Sequence, residues 1–66
     1  MDTTINGEPR ELPAGTTVAG LLTELGVATS GIAVAVNEHV VRRGSFESHA
    51  LREGDAVEII RAVAGG

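Results

Sequence analysis

The sequence predicts an α+β domain in which a mixed sheet of four to five strands packs against a single helix. Two short β-hairpins are indicated, one on each side of the only long amphipathic helical stripe, and one more strand follows the second hairpin. A helix between two hairpins must cover one face of the sheet, and the first and last strands are then expected to be parallel central neighbours. This order of elements is the β-grasp arrangement.

Length and composition limit the classes of protein to consider. The 66-residue chain is sufficient for one domain with a small core. Its net charge is −4, with five arginines, nine acidic residues and no lysine or cysteine. The acidic balance and the single aromatic residue, Phe46, argue against nucleic-acid binding, which depends on positive charge and base stacking. No apolar run approaches the roughly 20 residues that span a bilayer, so we expect a cytoplasmic protein without membrane association.

The first hairpin is expected to join strands at residues 1–5 and 8–12 through Asn6-Gly7. Asn-Gly is the strongest short signal for a type I′ turn, because both central residues of that turn need positive φ. Pro9 cannot donate a backbone hydrogen bond, which places the second strand at an edge of the sheet.

The helix is expected over residues 17–25, where the apolar side chains follow the i, i+3, i+4, i+7 spacing: Val18, Leu21, Leu22 and Leu25. Thr16 or Thr17 can cap its N-terminus, and Gly26 occupies the position of a left-handed C-cap residue. Gly20 costs up to about 1 kcal/mol relative to alanine. This short helix therefore depends on its packing against the sheet.

The second hairpin is expected to pair residues 32–36 with residues 39–42 through a tight turn at Asn37-Glu38. Residues 43–50 show no clear period, and we interpret them as a loop with room for one helical turn. The last and longest strand is expected at residues 56–63. Alternation should point Val57 and Ile59 towards the core and the intervening side chains to the opposite face: Glu58, Ile60 and Ala62.

That opposite face is a candidate docking surface, because a single helix can cover only one side of the sheet. Ile60 and Ala62 are expected to be exposed there, together with the small Ala33 and Ala35 and with Phe46. Single exposed apolar residues are normal, so only their combination into one patch would indicate a partner-binding face.

The sequence offers few groups for catalysis. His39 and His49, ten residues apart, fit no helical or finger-type metal spacing, so no metal site is expected. No phosphate-binding loop or nucleophile elbow is present, and the acidic residues are scattered singly. Arg42-Arg43 is interpreted as a solvated strand end. An independent enzyme is therefore the least favoured class.

The most distinctive stretch ends the sequence, where a hydrophobic strand leads into Gly65-Gly66. A cloning scar or a frayed end is one interpretation. The chemical interpretation is that the Gly66 carboxylate is the reactive group. Glycine has no Cβ, so its acyl carbon is unhindered and its backbone can enter a narrow slot. We expect residues 1–63 to form the domain and residues 64–66 to form a flexible tail.

Five segments in this order resemble the sulfur carrier proteins of thiamine biosynthesis, the ThiS family of ubiquitin-like β-grasp proteins. The resemblance covers essentially the whole chain. The matching segments are INGE at 5–8, TVAGLL at 17–22, VAVN at 34–37, LREGDAVEII at 51–60 and AVAGG at 62–66. Each one is weak, and the ordered set with two final glycines is specific.

The resemblance implies a carrier and not an enzyme. In the family, an adenylating enzyme uses ATP to activate the C-terminal carboxylate, here that of Gly66. Gly65 is expected to allow the tail to thread into the active site of that enzyme. Sulfur from a sulfur-donor enzyme then replaces AMP, and a thiazole synthase uses the resulting thiocarboxylate. No cofactor is expected on the carrier itself, because ATP belongs to the partner. Residues expected to contact partners are Ile60, Ala62, Ala64, Phe46 and Glu58.

Two alternatives remain open on the same fold. One is a sulfur carrier for another pathway, such as molybdopterin, cysteine or a different thioacid, because a fold does not assign a pathway. The other is a ubiquitin-like modifier or a plain binding module, in which Gly66 forms an amide or has no chemical role.

Overall fold

The computed structural model describes residues 1–61 of the chain. They form one five-stranded sheet in the order β2-β1-β5-β3-β4 and one α-helix, so the predicted α+β fold is confirmed. The elements are β1 (Asp2–Ile5), β2 (Glu8–Glu11), α1 (Val18–Leu25), β3 (Ile32–Val36), β4 (His39–Val41), a 3₁₀ turn (Arg43–Ser45) and β5 (Ala56–Arg61). None of the helices in this part of the chain has the length and apolar character needed to cross a bilayer.

The first hairpin forms as its turn residues predict. Asn6 and Gly7 have φ values of 52° and 83°, the double left-handed geometry of a type I′ turn. β2 lies at the sheet edge, where Pro9 pairs with Thr4 without needing to donate to a further strand. β1 also pairs with β5 in parallel, which confirms the first and last strands as central neighbours.

Both ends of α1 are capped by the expected residues. Thr17 is the N-cap, and its hydroxyl oxygen accepts a hydrogen bond of 3.1 Å from the amide of Gly20. Gly26 ends the helix with φ of 72°, and its amide reaches back to carbonyls of the last turn. Gly20 lies on the exposed side of the helix, where its missing side chain leaves no gap in the core.

The core lies between α1 and one face of the sheet. Val18 and Leu21 are fully buried, and Val57 of β5 packs in the same cluster. The complete buried cluster is Leu12, Val18, Leu21, Leu22, Val34, Val36, Val41, Phe46, Leu51 and Val57. The predicted alternation on β3 and β5 is thus correct, with Ile32 and Ile59 partly buried at its margin.

Phe46 is a correction to the sequence-based prediction. Its side chain is only 4% exposed and belongs to the core, so it cannot contribute to a docking surface on the outer face. The 3₁₀ turn Arg43–Ser45 directs the ring inward, and the Phe46 carbonyl accepts a hydrogen bond of 2.8 Å from the amide of Ala19. The segment between β4 and β5 therefore closes the end of the core beside the start of α1.

Candidate functional site

The outer face of the sheet, opposite α1, carries an apolar patch on three adjacent strands. Residues that are paired across neighbouring strands project to the same face. Ile60 is paired with Ala33, and Ala35 is paired with Val40, so these four side chains lie together. We call these four residues the docking face. Ile60 is 55% exposed and Val40 is 76% exposed, which makes them the large exposed hydrophobics among residues 1–61.

Val40 is a member of the docking face that the sequence interpretation missed. It stands between His39 and Val41 on β4, and Val41 is buried in the core. Strand alternation therefore turns Val40 outward. Its pairing with Ala35 could have been derived from the Asn37-Glu38 turn, because a two-residue type I′ turn fixes the register of the hairpin.

Glu58 borders the apolar patch. It is exposed on β5 and is paired with Ala35. Because Glu58 precedes Ile60 by two residues, their side chains lie on the same face. The structure thus brings together Ile60 and Glu58 of the predicted partner-binding residues and places Phe46 in the core. A face with a flat apolar centre and a charged border is suited to protein contact.

Two asparagine side chains hold β5 in place within the sheet. The Asn6 side-chain carbonyl accepts a hydrogen bond of 2.8 Å from the backbone amide of Ile59. The backbone amide of Asn6 donates a hydrogen bond of the same length to the Val57 carbonyl. On the other side of β5, the Asn37 side-chain carbonyl accepts a hydrogen bond of 3.0 Å from the amide of Ala56. Each of these asparagines belongs to a hairpin turn with positive φ.

These contacts fix the direction in which β5 leads towards the end of the chain. Asp55 strengthens the start of the strand, since its two carboxylate oxygens accept hydrogen bonds from the Asn37 side-chain amide and the Arg52 backbone amide. The predicted reactive and tail residues, Ala62, Ala64, Gly65 and Gly66, lie outside the described residues, as does the predicted domain boundary at residue 63.

Within residues 1–61, the polar groups serve the fold. Thr3 is the buried polar residue, and its hydroxyl donates a hydrogen bond of 2.8 Å to the Arg10 carbonyl. No set of three potential metal-ligating side chains is assembled in this part of the chain. His39 and His49 line one surface cavity together with Asp55, whose carboxylate is already engaged in the turn.

The sequence and the fold can be compared with those of known proteins. The family model described as "ThiS family" matches residues 3–66, nearly the whole sequence. The chain belongs to the ThiS family. The resemblance seen in the sequence is thereby confirmed.

Individual relatives support this membership. A sulfur carrier protein ThiS from Thermus thermophilus is 40% identical over 62 residues, covering 94% of this chain and 95% of the relative. The crystal structure of a thiamine biosynthesis protein, ThiS, from Geobacter metallireducens superposes with a TM-score of 0.86 at 33% identity, covering both chains completely. Proteins named as sulfur carriers are carriers and not enzymes, in agreement with the class that the sequence predicted.

A thiazole synthase from Magnetococcus marinus contains a segment of the same kind. It is 44% identical to this chain over 62 residues, or 94% of the chain, which spans only 19% of that relative's length. The ThiS-like domain and a thiazole synthase are therefore joined in one polypeptide in that organism.

Proposed function

We propose that this chain is a sulfur carrier of thiamine biosynthesis and that its working group is the carboxylate of Gly66. The observation that carries the proposal is the family match through residue 66, together with an alignment that covers this chain and the Geobacter metallireducens ThiS chain completely. In this proposal the partner enzyme binds the domain through its docking face, and the two glycines enter the active site of that enzyme.

The chemistry requires a partner because a carboxylate is a poor electrophile. An adenylating enzyme would join the Gly66 carboxylate to the α-phosphate of ATP, with release of pyrophosphate. A persulfide on a sulfur-donor enzyme would then attack the acyl carbon and displace AMP, which gives an acyl disulfide between the two proteins. A thiol reductant would attack the donor's sulfur in that disulfide, form a mixed disulfide with the donor, and release the thiocarboxylate of Gly66. Glycine favours the second step, because no Cβ shields the acyl carbon from the sulfur nucleophile.

The next acceptor in this proposal is a thiazole synthase, which would take the sulfur for the thiazole ring. The Magnetococcus marinus relative favours this pathway over another thioacid pathway, because it joins a similar domain to a thiazole synthase in one chain. Joining two proteins in one polypeptide raises their effective concentration towards each other, which helps only if the two act together.

The decisive experiment is intact-mass measurement of the full chain after incubation with the adenylating enzyme, ATP, a cysteine desulfurase and cysteine. We expect exchange of one oxygen for sulfur at the C-terminus, located on Gly66 by fragmentation. The matched control lacks Gly65 and Gly66 and should remain unmodified. A wild-type chain without exchange would contradict the carrier proposal, and a deletion variant that retains full cellular function would support a binding module.

The pathway is tested by adding the purified thiocarboxylate form to a thiazole synthase together with the other substrates of that enzyme. Thiazole formation with return of Gly66 to a carboxylate is the expected result. Sulfur transfer to a different thioacid acceptor, with none to the thiazole synthase, would move the assignment to another pathway.

A further inference from the structure

A second surface feature lies on the α1 side of the sheet, away from the docking face. Here β1 ends at Ile5 and its chain turns away, while β5 continues to Arg61. A surface cavity of about 390 Å³ lies where β1 leaves off. We call it the strand-end cavity. Four apolar residues, each partly buried against the core, line it together with two arginines: Ile5, Leu25, Val27, Ile59, Arg10 and Arg61.

The edge of β5 that borders this cavity extends beyond its partner strand. The pairing of β1 with β5 stops at Ile5 and Val57, and the Asn6 side chain then receives the amide of Ile59. Backbone groups alternate between the two sides of a strand, so the next groups on this side are the Ile59 carbonyl and the Arg61 amide. No strand lies opposite them in residues 1–61.

The two arginines at the cavity differ in their ion pairing. Arg10 lies 3.5 Å from the carboxylate of Glu24, so much of its charge is already balanced. Arg61 forms no ion pair with any residue in the described range 1–61, and its side chain is exposed beside the cavity. Arg61 therefore places a positive charge without an ion-pair partner in residues 1–61 two residues beyond Ile59, on the same face of β5. Glu8 is the acidic residue among those that line the cavity, and it forms no ion pair with Arg61.

We propose that the strand-end cavity receives an extended segment of the adenylating enzyme, which adds as a short strand along the free edge of β5. The backbone of that segment pairs with the Ile59 carbonyl and the Arg61 amide, as in other cases of strand addition. One apolar side chain enters the cavity, and a carboxylate two residues away lies beside Arg61, because alternate residues of a strand share a face. This inference rests on the proposed function.

The position of the cavity explains why the segment belongs to the enzyme that receives the tail. Arg61 precedes Gly66 by five residues, which span at most about 18 Å when extended. An enzyme that holds the Gly66 carboxylate must therefore approach this end of β5. Strand addition there would fix the direction from which the last residues enter the active site.

Charge reversal at Arg61 tests the carboxylate contact. Arg61→Glu in the full chain is expected to weaken binding to the adenylating enzyme about tenfold or more, measured by calorimetry at low salt, because it replaces an attraction by a repulsion. The matched control is Arg52→Glu, an equal charge change at an exposed turn residue away from the cavity, which should change the dissociation constant less than twofold. Equal effects of the two substitutions would overturn the inference.

A crosslinking experiment identifies the segment directly. The chain has no cysteine, so Val27→Cys provides a single attachment point for a photocrosslinker in the cavity. We expect crosslinks to one stretch of the enzyme with an apolar residue and an acidic residue two positions apart. Ala14→Cys, in an exposed loop, is the control and should not label that stretch. Crosslinks spread over unrelated surfaces, or onto a helix, would overturn strand addition.

The two proposals fail in distinguishable ways. Absence of sulfur exchange on the wild-type chain contradicts the carrier function, and this inference with it. Normal exchange on the wild-type chain, combined with identical binding by Arg61→Glu and Arg52→Glu, contradicts the strand-end site alone.

Discussion

The side-chain carbonyl of Asn6 accepts a hydrogen bond of 2.8 Å from the backbone amide of Ile59, a residue 53 positions later in the sequence. The asparagine thereby has two functions. Its backbone adopts the positive φ of the first hairpin turn, and its side chain extends the pairing of β5 after β1 has ended. The first turn of the chain thus helps to position the strand that leads to its last residues.

We predict that Asn6→Gly lowers the free energy of unfolding by about 1 kcal/mol, because glycine keeps the turn but loses the hydrogen bond to Ile59. Asn6→Ala should cost about 1 kcal/mol more, since alanine is also strained at positive φ. Urea denaturation followed by circular dichroism measures both values. Equal stability of wild type and Asn6→Gly would show that water replaces the side-chain carbonyl without loss.

The N-cap of α1 allows a second test. Thr17→Ala removes the hydroxyl oxygen that accepts a hydrogen bond of 3.1 Å from the Gly20 amide. This substitution is expected to lower the free energy of unfolding by about 1 kcal/mol. Thr17→Ser keeps the oxygen and should stay close to wild type. The same denaturation experiment compares them, and an equal loss in both variants would assign the effect to the threonine methyl group.

Substitutions of Phe46 distinguish a role in the core from a role in partner binding. We expect Phe46→Ala to cost about 3–5 kcal/mol, enough to unfold much of a domain of this size, because the ring is buried among core side chains. Phe46→Leu should cost less than about 1.5 kcal/mol. If this variant binds the adenylating enzyme like wild type, the core assignment holds; a loss of affinity without a loss of stability would place the ring at the interface.

The docking face is tested at its two exposed large residues. Ile60→Asp and Val40→Asp are each expected to weaken binding of the adenylating enzyme at least tenfold, because they put a charge into the apolar contact. Their cost in stability should be about 1 kcal/mol or less, since both side chains point to solvent.

Ala14→Asp, in an exposed loop, is the matched control for these two variants and should bind normally. Calorimetric titration gives the dissociation constants, and thermal unfolding confirms that each variant is folded. Wild-type affinity in both Ile60→Asp and Val40→Asp would exclude the outer face as the contact surface.

Local chemistry made much of the fold predictable from the sequence. Asn6-Gly7 was predicted as a tight turn because few residues tolerate positive φ, and Asn37-Glu38 was predicted as a tight turn from its place between two strands. The helix was predicted from its apolar spacing and its capping residues. The predicted strand bounds differ from the observed ones by at most one residue where they can be compared, as is usual for frayed ends.

The errors arose where position depends on distant parts of the chain. Phe46 lies in a segment without period, so its burial follows from the closure of the core end beside α1 and not from any local pattern. The contact between Asn6 and Ile59 likewise depends on the relative lengths of β1 and β5. Val40 was predictable in principle, but only after the hairpin register had been worked out residue by residue.

The parallel pairing of β1 and β5 has a mechanical consequence. β1 begins next to Met1, β5 runs towards Gly66, and the two strands point the same way at the centre of the sheet. A force that pulls the two termini apart therefore acts along the strands and loads their hydrogen bonds in shear, all together, instead of opening them one at a time from an edge. If a partner protein that binds the last residues pulls on them, the hydrogen bonds of the whole sheet resist that force.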